Sequence, residues 1–230
     1  FLVLDEADRM LDMGFHQDIQ KIISFLPKKR QNLMFSATMP SKIRTLAKEV
    51  LDNPEEINVA VSVPAEKIIQ VGFVVYDNQK IPIIEHVLSA GNFFSVIIFC
   101  STKDKTKNLT KSLKKLKFSV AEIHSDLDQK ERGKVLNLFK AKKITILVAT
   151  DILSRGIDIE DIELVINYDV PNDVEDYIHR IGRTARAAAK GVAFTLINEK
   201  EQRRFADIEK FIGKTVDKAE IPLSLGIAPD

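Results

Sequence analysis

Two adjacent carboxylates, Asp5 and Glu6, directly follow the apolar run Phe1-Leu2-Val3-Leu4, and Ala7 and Asp8 come next. An apolar run that stops at a pair of acids reads as a buried strand with carboxylates at its C-terminal end. In open α/β sheets that edge is where ligands bind. Phosphoryl transfer uses such a pair, one acid to hold Mg²⁺ and one to orient the attacking water. The same acids would also suit the first turn of a helix, where they face the positive end of its dipole. Ser36 and Thr38 follow the next candidate strand, Asn32 to Phe35. Their hydroxyls could reach the acids or another domain, or cap the helix that Pro40 opens.

Two longer strings add basic and hydroxyl groups. Thr150-Asp151-Ile152-Leu153-Ser154-Arg155-Gly156-Ile157-Asp158 follows the apolar run Ile144 to Ala149. A hydroxyl, an arginine and a glycine that lets backbone approach closely suit a phosphate. Contacts of that kind position a nucleic-acid backbone without reading its bases. An ordinary glycine turn with a solvated arginine would look the same. His179-Arg180-Ile181-Gly182-Arg183-Thr184-Ala185-Arg186 is the second string. On one α-helix, His179, Arg183 and Arg186 share a face at i, i+4 and i+7. Two arginines projecting together suit a γ-phosphate whose charge shifts in the transition state. Gly213-Lys214-Thr215 imitates the end of a phosphate-binding loop, but Ile208 stands where such a loop needs glycine. The lysine-rich stretch Lys103 to Lys117 could touch RNA, but a solvated helix face is the better account of it.

The elements that must position these groups fall into two sets. Ala7 to Gly14 reads as a helix with Asp8 and Asp12 solvated, and Ile19 to Leu26 as a second helix ended by Pro27. After Pro40, Ile43, Leu46, Ala47, Val50 and Leu51 recur at helical spacing. Residues 52–69 carry Asn53-Pro54 and Val63-Pro64, with a short strand-like run from Ile57 to Val61. Candidate strands then follow at Val71–Tyr76, Val96–Cys100, Val120–Ile123, Ile144–Ala149, Leu164–Tyr168 and Val192–Ile197. Helical patterns separate them, such as Leu109, Leu113 and Leu116, or Val135, Leu136 and Phe139. Strands alternating with helices predict a parallel α/β sheet. A helix from Glu199 to Ile212 and a loose tail end the chain. The division expected is residues 1–61 as the back part of one domain, a linker at 62–69, a second domain at 70–213 and a tail at 214–230.

With 34 Lys and Arg against 33 Asp and Glu, the net charge is +1, which excludes a polycation. Nucleic-acid binding must come from a local patch. The single cysteine, Cys100, lies in an apolar run and reads as a small core residue of a reducing compartment, the cytoplasm. No apolar run approaches the ~20 residues of a membrane span, and no membrane association is expected.

Taken in order, the strings Val3 to Asp8, Ser36-Ala37-Thr38, Ala149 to Asp158 and His179 to Arg186 resemble the DEAD-box family of ATP-dependent RNA helicases. Gln129 and Arg132 resemble a further RNA-contacting Gln-x-x-Arg element of that family. The resemblance implies tandem RecA-like parallel-sheet domains, the first incomplete, that close over ATP and bend one RNA strand. It implies ATP and Mg²⁺ as cofactors and RNA as partner. Asp5 would hold Mg²⁺ through water, Glu6 would orient the hydrolytic water, and Ser36 and Thr38 would couple nucleotide state to closure. Thr150, Arg155, Gly156, Arg132 and Gln129 would grip the RNA backbone, and Asp158 would meet the ribose of the nucleotide. Arg183 and Arg186 would reach the γ-phosphate, and His179 would contact the acids of the first domain. Ala185 stands where the family usually has glycine. The tail and Ala187-Ala188-Ala189 resemble a bacterial RhlE-like branch. The chain has no Gly-x-x-x-x-Gly-Lys-[Ser/Thr] loop and no adenine-reading glutamine segment. The expectation is therefore an N-terminally truncated helicase that hydrolyses ATP negligibly alone. An RNA- or partner-binding module without turnover, and a DNA-acting helicase, are the alternatives, since RNA is told from DNA by 2′-OH contacts that these strings do not display.

Overall fold

The computed structural model describes residues 1–12, 14–37, 39, 41–58, 68–151, 162–184 and 191–229, and the chain divides into two units, Phe1–Ser62 and Val63–Asp230. The first unit runs β1 (Leu2–Leu4), α1 (Ala7–Asp12), α2 (His16–Ser24), β2 (Asn32–Met34) and α3 (Ser41–Val50). β1 and β2 pair in parallel, with Leu2 opposite Asn32 and Leu4 opposite Met34. Leu4, Ile19, Leu46 and Val50 form the buried core, flanked by Met10, Leu11, Ile23 and Met34. The spacing along α3 delivers Ile43, Leu46 and Val50 to the inside as expected. Register partners Val3 and Leu33 point the other way and remain 52% and 38% exposed.

Three expectations for this unit change. The first helix stops at Asp12, before Gly14, whose φ of +81° ends helical geometry. Asp8 is buried, not solvated, because it sits where α1 packs beneath the end of β2. Ile57 is exposed and joins no strand, while residues 59–61 of that expected run lie outside the described residues.

Among the described residues the second unit forms a seven-stranded sheet in the order β5-β6-β4-β7-β8-β3-β9, every pair parallel. Its strands are β3 (Ile68–Val74), β4 (Val96–Phe99), β5 (Val120–Ile123), β6 (Ile146–Ala149), β7 (Leu164–Asn167), β8 (Gly191–Ile197) and β9 (Asp217–Lys218). β4, β6 and β7 are buried throughout, which is why they read as unbroken apolar runs. α4 (Lys80–Ala90) and α5 (Lys103–Lys115) cover one face through Ile83, Ile84, Leu88, Leu109 and Leu113. α6 (Gln129–Lys140), α7 (Val174–Ile181) and α8 (Gln202–Ile212) cover the other through Phe139, Tyr177, Ile181, Phe205 and Ile208. All strands point one way, so their C-terminal ends gather on one edge.

The tail is not loose. β9 adds an edge to β3, and Ala219 N donates to Gly72 O at 2.9 Å. The buried Gln79 amide donates to Leu225 O and Ile227 O at 2.9 and 3.1 Å, and Ile221 is buried. Gly213 ends α8 with φ +66°, so Gly213-Lys214-Thr215 is a helix terminus.

Candidate functional site

In the first unit the acids stand at the end of β1. Glu6 has φ +49°, a left-handed conformation that costs a glutamate about 1–3 kcal/mol. Bonds on both sides fix it. Its N–H donates to Asp5 Oδ1 at 2.9 Å, and its carbonyl accepts from Met10 N at 3.1 Å, which starts α1. Phe35 N donates to Leu4 O at 2.7 Å and Ala7 N to Phe35 O at 3.0 Å, stitching the two strand ends together. Asp5 and Glu6 are both exposed, and Glu6 Oε2 lies 3.7 Å from Arg9 Nη1, a buried atom that makes no hydrogen bond among the described residues. Ser36 Oγ accepts from Asp8 N at 3.1 Å, so the structure does bring the acid string and the hydroxyl string together. Thr38 lies outside the described residues.

In the second unit Thr150 follows β6, and its backbone N–H donates to Ile123 O at 3.2 Å. Its Oγ1 is buried without a hydrogen-bond partner among the described residues, which leaves a donor and acceptor for a ligand. Arg155, Gly156 and Asp158 lie outside the described residues. Asp128 caps α6 in a capping box with Glu131, which leaves Gln129 exposed in the first turn. Arg132 turns back to brace the preceding loop, Nε to Leu127 O at 2.9 Å and Nη2 to Ser125 O at 3.3 Å.

The single helical face expected for His179, Arg183 and Arg186 does not hold. α7 ends at Ile181, and Gly182–Thr184 form a 3₁₀ turn. Thr184 pulls the chain inward: its Oγ1 donates to Ile162 O at 2.7 Å and accepts from Val192 N at 3.2 Å. A Cβ on Gly191 would come within 2.0 Å of Thr184 O, so only glycine permits that approach. His179 and Arg183 are still brought together, with Arg183 Nε donating to His179 O at 3.3 Å. Arg186 lies outside the described residues.

Sequence reasoning missed Arg180. It is 1% exposed and forks onto Asp151, Nε to Oδ1 at 2.7 Å and Nη2 to Oδ2 at 2.9 Å. Its Nη1 donates to Asn167 Oδ1 and Asp169 O at 3.3 and 3.0 Å, and its guanidinium lies 5.3 Å from the centre of the Phe99 ring. The arginine thus pins the helix carrying His179 to the ends of β6, β7 and β4. Tyr177, Arg180 and Ile181 recur at i, i+3 and i+4, the pattern that could have placed it inside.

Asp169 extends the network. Its carboxylate accepts from Ser101 N at 2.8 Å, Lys105 Nζ at 2.6 Å and Lys80 Nζ at 3.4 Å. Burial pushes this carboxyl up, but Lys105, the Ser101 N–H and Lys80 outweigh it and hold it below the usual value. Lys80 also lies 3.2 Å from Asp77, 3.4 Å from Glu201 and 5.0 Å from the centre of the Tyr168 ring. Burial lifts the Glu201 carboxyl. Cys100 is fully buried, and burial pushes its thiol up to about 12, the behaviour of a core residue.

A family model described as "Helicase conserved C-terminal domain" matches residues 79–188, and one described as "DEAD/DEAH box helicase" matches residues 1–46. The solved C-terminal domain of the DEAD-box protein Dbp5 is 30% identical, at a TM-score of 0.60, over 69% of this chain and 91% of that one. The chain belongs to the DEAD-box family. Its two units are RecA-like α/β folds of DEAD-box type. The DEAD-box ATP-dependent RNA helicase 14 of Arabidopsis thaliana is 46% identical over 216 residues, which cover 92% of this chain and 35% of that protein. S. cerevisiae Dbp5 bound to RNA and ADP BeF3 is 32% identical, covering 96% of this chain and 59% of that one, at a TM-score of 0.81. This DEAD-box chain therefore spans about a third of that curated relative's length. Among the described residues no helix is long and apolar enough to cross a membrane, and no three His, Cys, Asp or Glu cluster as metal ligands.

Proposed function

We propose that this DEAD-box chain is part of an RNA-stimulated ATPase that opens short RNA duplexes locally, with residues 1–61 as one domain portion, residues 70–213 joined by Ile68 and Ile69 of β3 and by β9 as the other, and 62–67 as their linker. The observation that carries the reading is Glu6. Its strained backbone stands beside Asp5, and the adjoining Asp8 is bonded to Ser36. Strain of this kind persists where a side chain must be held in one place. Two carboxylates at a strand end are the donors Mg²⁺ takes when water and phosphate oxygens complete its shell. Asp5 would hold that ion through water, and a bound Mg²⁺ would neutralise charge on the phosphates. Glu6 would orient the hydrolytic water. Ser36 and Thr38 would report nucleotide state to the fold. Arg183 and Arg186 would stabilise the γ-phosphate, His179 would contact the acids, and Asp158 would meet the ribose. Thr150, with its unspent hydroxyl, would hold RNA phosphate with Gln129, Arg132, Arg155 and Gly156. Such contacts give little base preference and an affinity that falls with salt. A cytoplasmic setting and an RhlE-like branch belong to the same proposal.

The test is ATP turnover by the full-length protein, with and without RNA, beside Glu6→Gln. RNA-stimulated turnover abolished by Glu6→Gln is the expected result. Unchanged turnover in Glu6→Gln would remove the role given to that carboxylate. The 230-residue chain alone, which has no phosphate-binding loop, is expected to show no turnover above background.

A further inference from the structure

The basic helix α5 has one more use than covering the sheet. Thr106, Leu109, Thr110 and Leu113 form its buried side. Lys103, Lys107, Lys111 and Lys114 lie beside it in an arc of about 80° and along about 16 Å of helix axis. All four are exposed. Lysines at i and i+4 repel one another, so the stripe costs the helix stability. The whole molecule carries a net charge of only +1, so the stripe is a local concentration of charge.

One acid answers its upper end. Lys103 Nζ donates to Asp126 Oδ1 at 2.9 Å and Lys107 Nζ to Oδ2 at 2.6 Å. Asp104 and Glu122 act on Lys107 more weakly. Lys111 and Lys114 have no ion-pair partner among the described residues. Asp126 belongs to the loop that Arg132 braces through Ser125 O and Leu127 O. The stripe and the proposed RNA grip of α6 therefore share one loop at the C-terminal edge of the sheet. Two ammonium groups gathered on two oxygens of one exposed carboxylate are in the arrangement a phosphate group would impose.

We propose that Lys103, Lys107, Lys111 and Lys114 are a second track for the RNA backbone, leading away from the α6 grip along α5, with Asp126 occupying the place of a phosphate until RNA displaces it. The inference rests on the RNA reading above. It is tested by anisotropy of a labelled single-stranded RNA on the 230-residue chain over a series of salt concentrations. Lys111→Gln/Lys114→Gln is expected to weaken binding equally for unrelated sequences and to make the slope of log K against log salt shallower by about 1.4, two phosphate contacts at roughly 0.7 each. Asp126→Asn is expected to tighten binding. Lys200→Gln/Lys210→Gln, which removes two exposed lysines elsewhere, is expected to leave the slope alone. An unchanged slope in the α5 variant, an equal loss in the control, or weaker binding in Asp126→Asn overturns the track while the α6 grip stands. No RNA binding by the unaltered chain overturns both.

Discussion

The two units are built from the same parallel β-α repeat but hold their chemistry in opposite ways. In the second unit helices cover both faces of the sheet, and β4, β6 and β7 are dry. There, charges are held by other charges: Arg180 on Asp151, and Lys80 and Lys105 on Asp169. In the first unit a two-stranded sheet is covered on one face, with Val3 and Leu33 exposed on the other. There, the strained Glu6 backbone is held at both of its own polar groups, its N–H on Asp5 Oδ1 and its carbonyl on Met10 N. A dry scaffold holds a site through side-chain networks. The strand end of the first unit holds its site through the main-chain groups of Glu6 itself.

The sharpest way to break this comparison is to unpair a buried charge. Asp151→Ala leaves the Arg180 guanidinium without its fork and is expected to destabilise the second unit by about 3–5 kcal/mol in urea unfolding. A loss below about 1 kcal/mol would mean that the network is not what holds α7. Next come matched cavities. Leu46→Ala and Leu109→Ala each remove a buried leucine and should cost about 2–5 kcal/mol. In the first unit that should erase an early melting transition, and in the second only shift a later one. Equal survival of both transitions by calorimetry would mean that Leu46 and its neighbours do not set the stability of the first unit in this chain. Gly191→Ala drives a methyl into Thr184 and is expected to cost about 1–3 kcal/mol and to move the turn that carries Arg183. The readout is turnover in the full-length protein, which should fall more than RNA binding does.

The smallest effect is that of pH. Asp169 is held below its ordinary value of 3.8, so its stabilisation is complete above that pH and is lost as the pH falls further. Glu201 is raised above 4.5, so its contribution runs the other way, present below that pH and lost as the pH rises through its folded value. Asp169→Asn should therefore flatten the acid limb of the urea midpoint against pH below about 4. A limb as steep as that of the unaltered chain would assign acid sensitivity elsewhere.

Much of the fold was legible because burial on both faces turns strands into apolar runs, as in Val96 to Phe99 and Ile146 to Ala149. β9 was not legible. Asp217 and Lys218 are exposed polar residues whose only strand property is backbone pairing with β3. In the site, the acids and Ser36 could be read from strand ends, but the bond between Ser36 and Asp8 spans 28 positions and leaves no local trace. Arg180 was hidden among other basic residues, since its partner Asp151 stands 29 positions away. The helical face drawn through Arg186 assumed one regular helix. Thr184, bonded to Ile162 O and Val192 N, ends that regularity, and neither bond is visible in the spacing.

The pairing of β9 with β3 also bears on where this polypeptide can be cut. Trimming it after α8 would strip the outer neighbour from β3 and leave the Gln79 amide without Leu225 O and Ile227 O. The exposed Ile69, Val71 and Gly72 backbone would then be a free template for a second molecule, and a shortened expression product would be expected to self-associate through that strand.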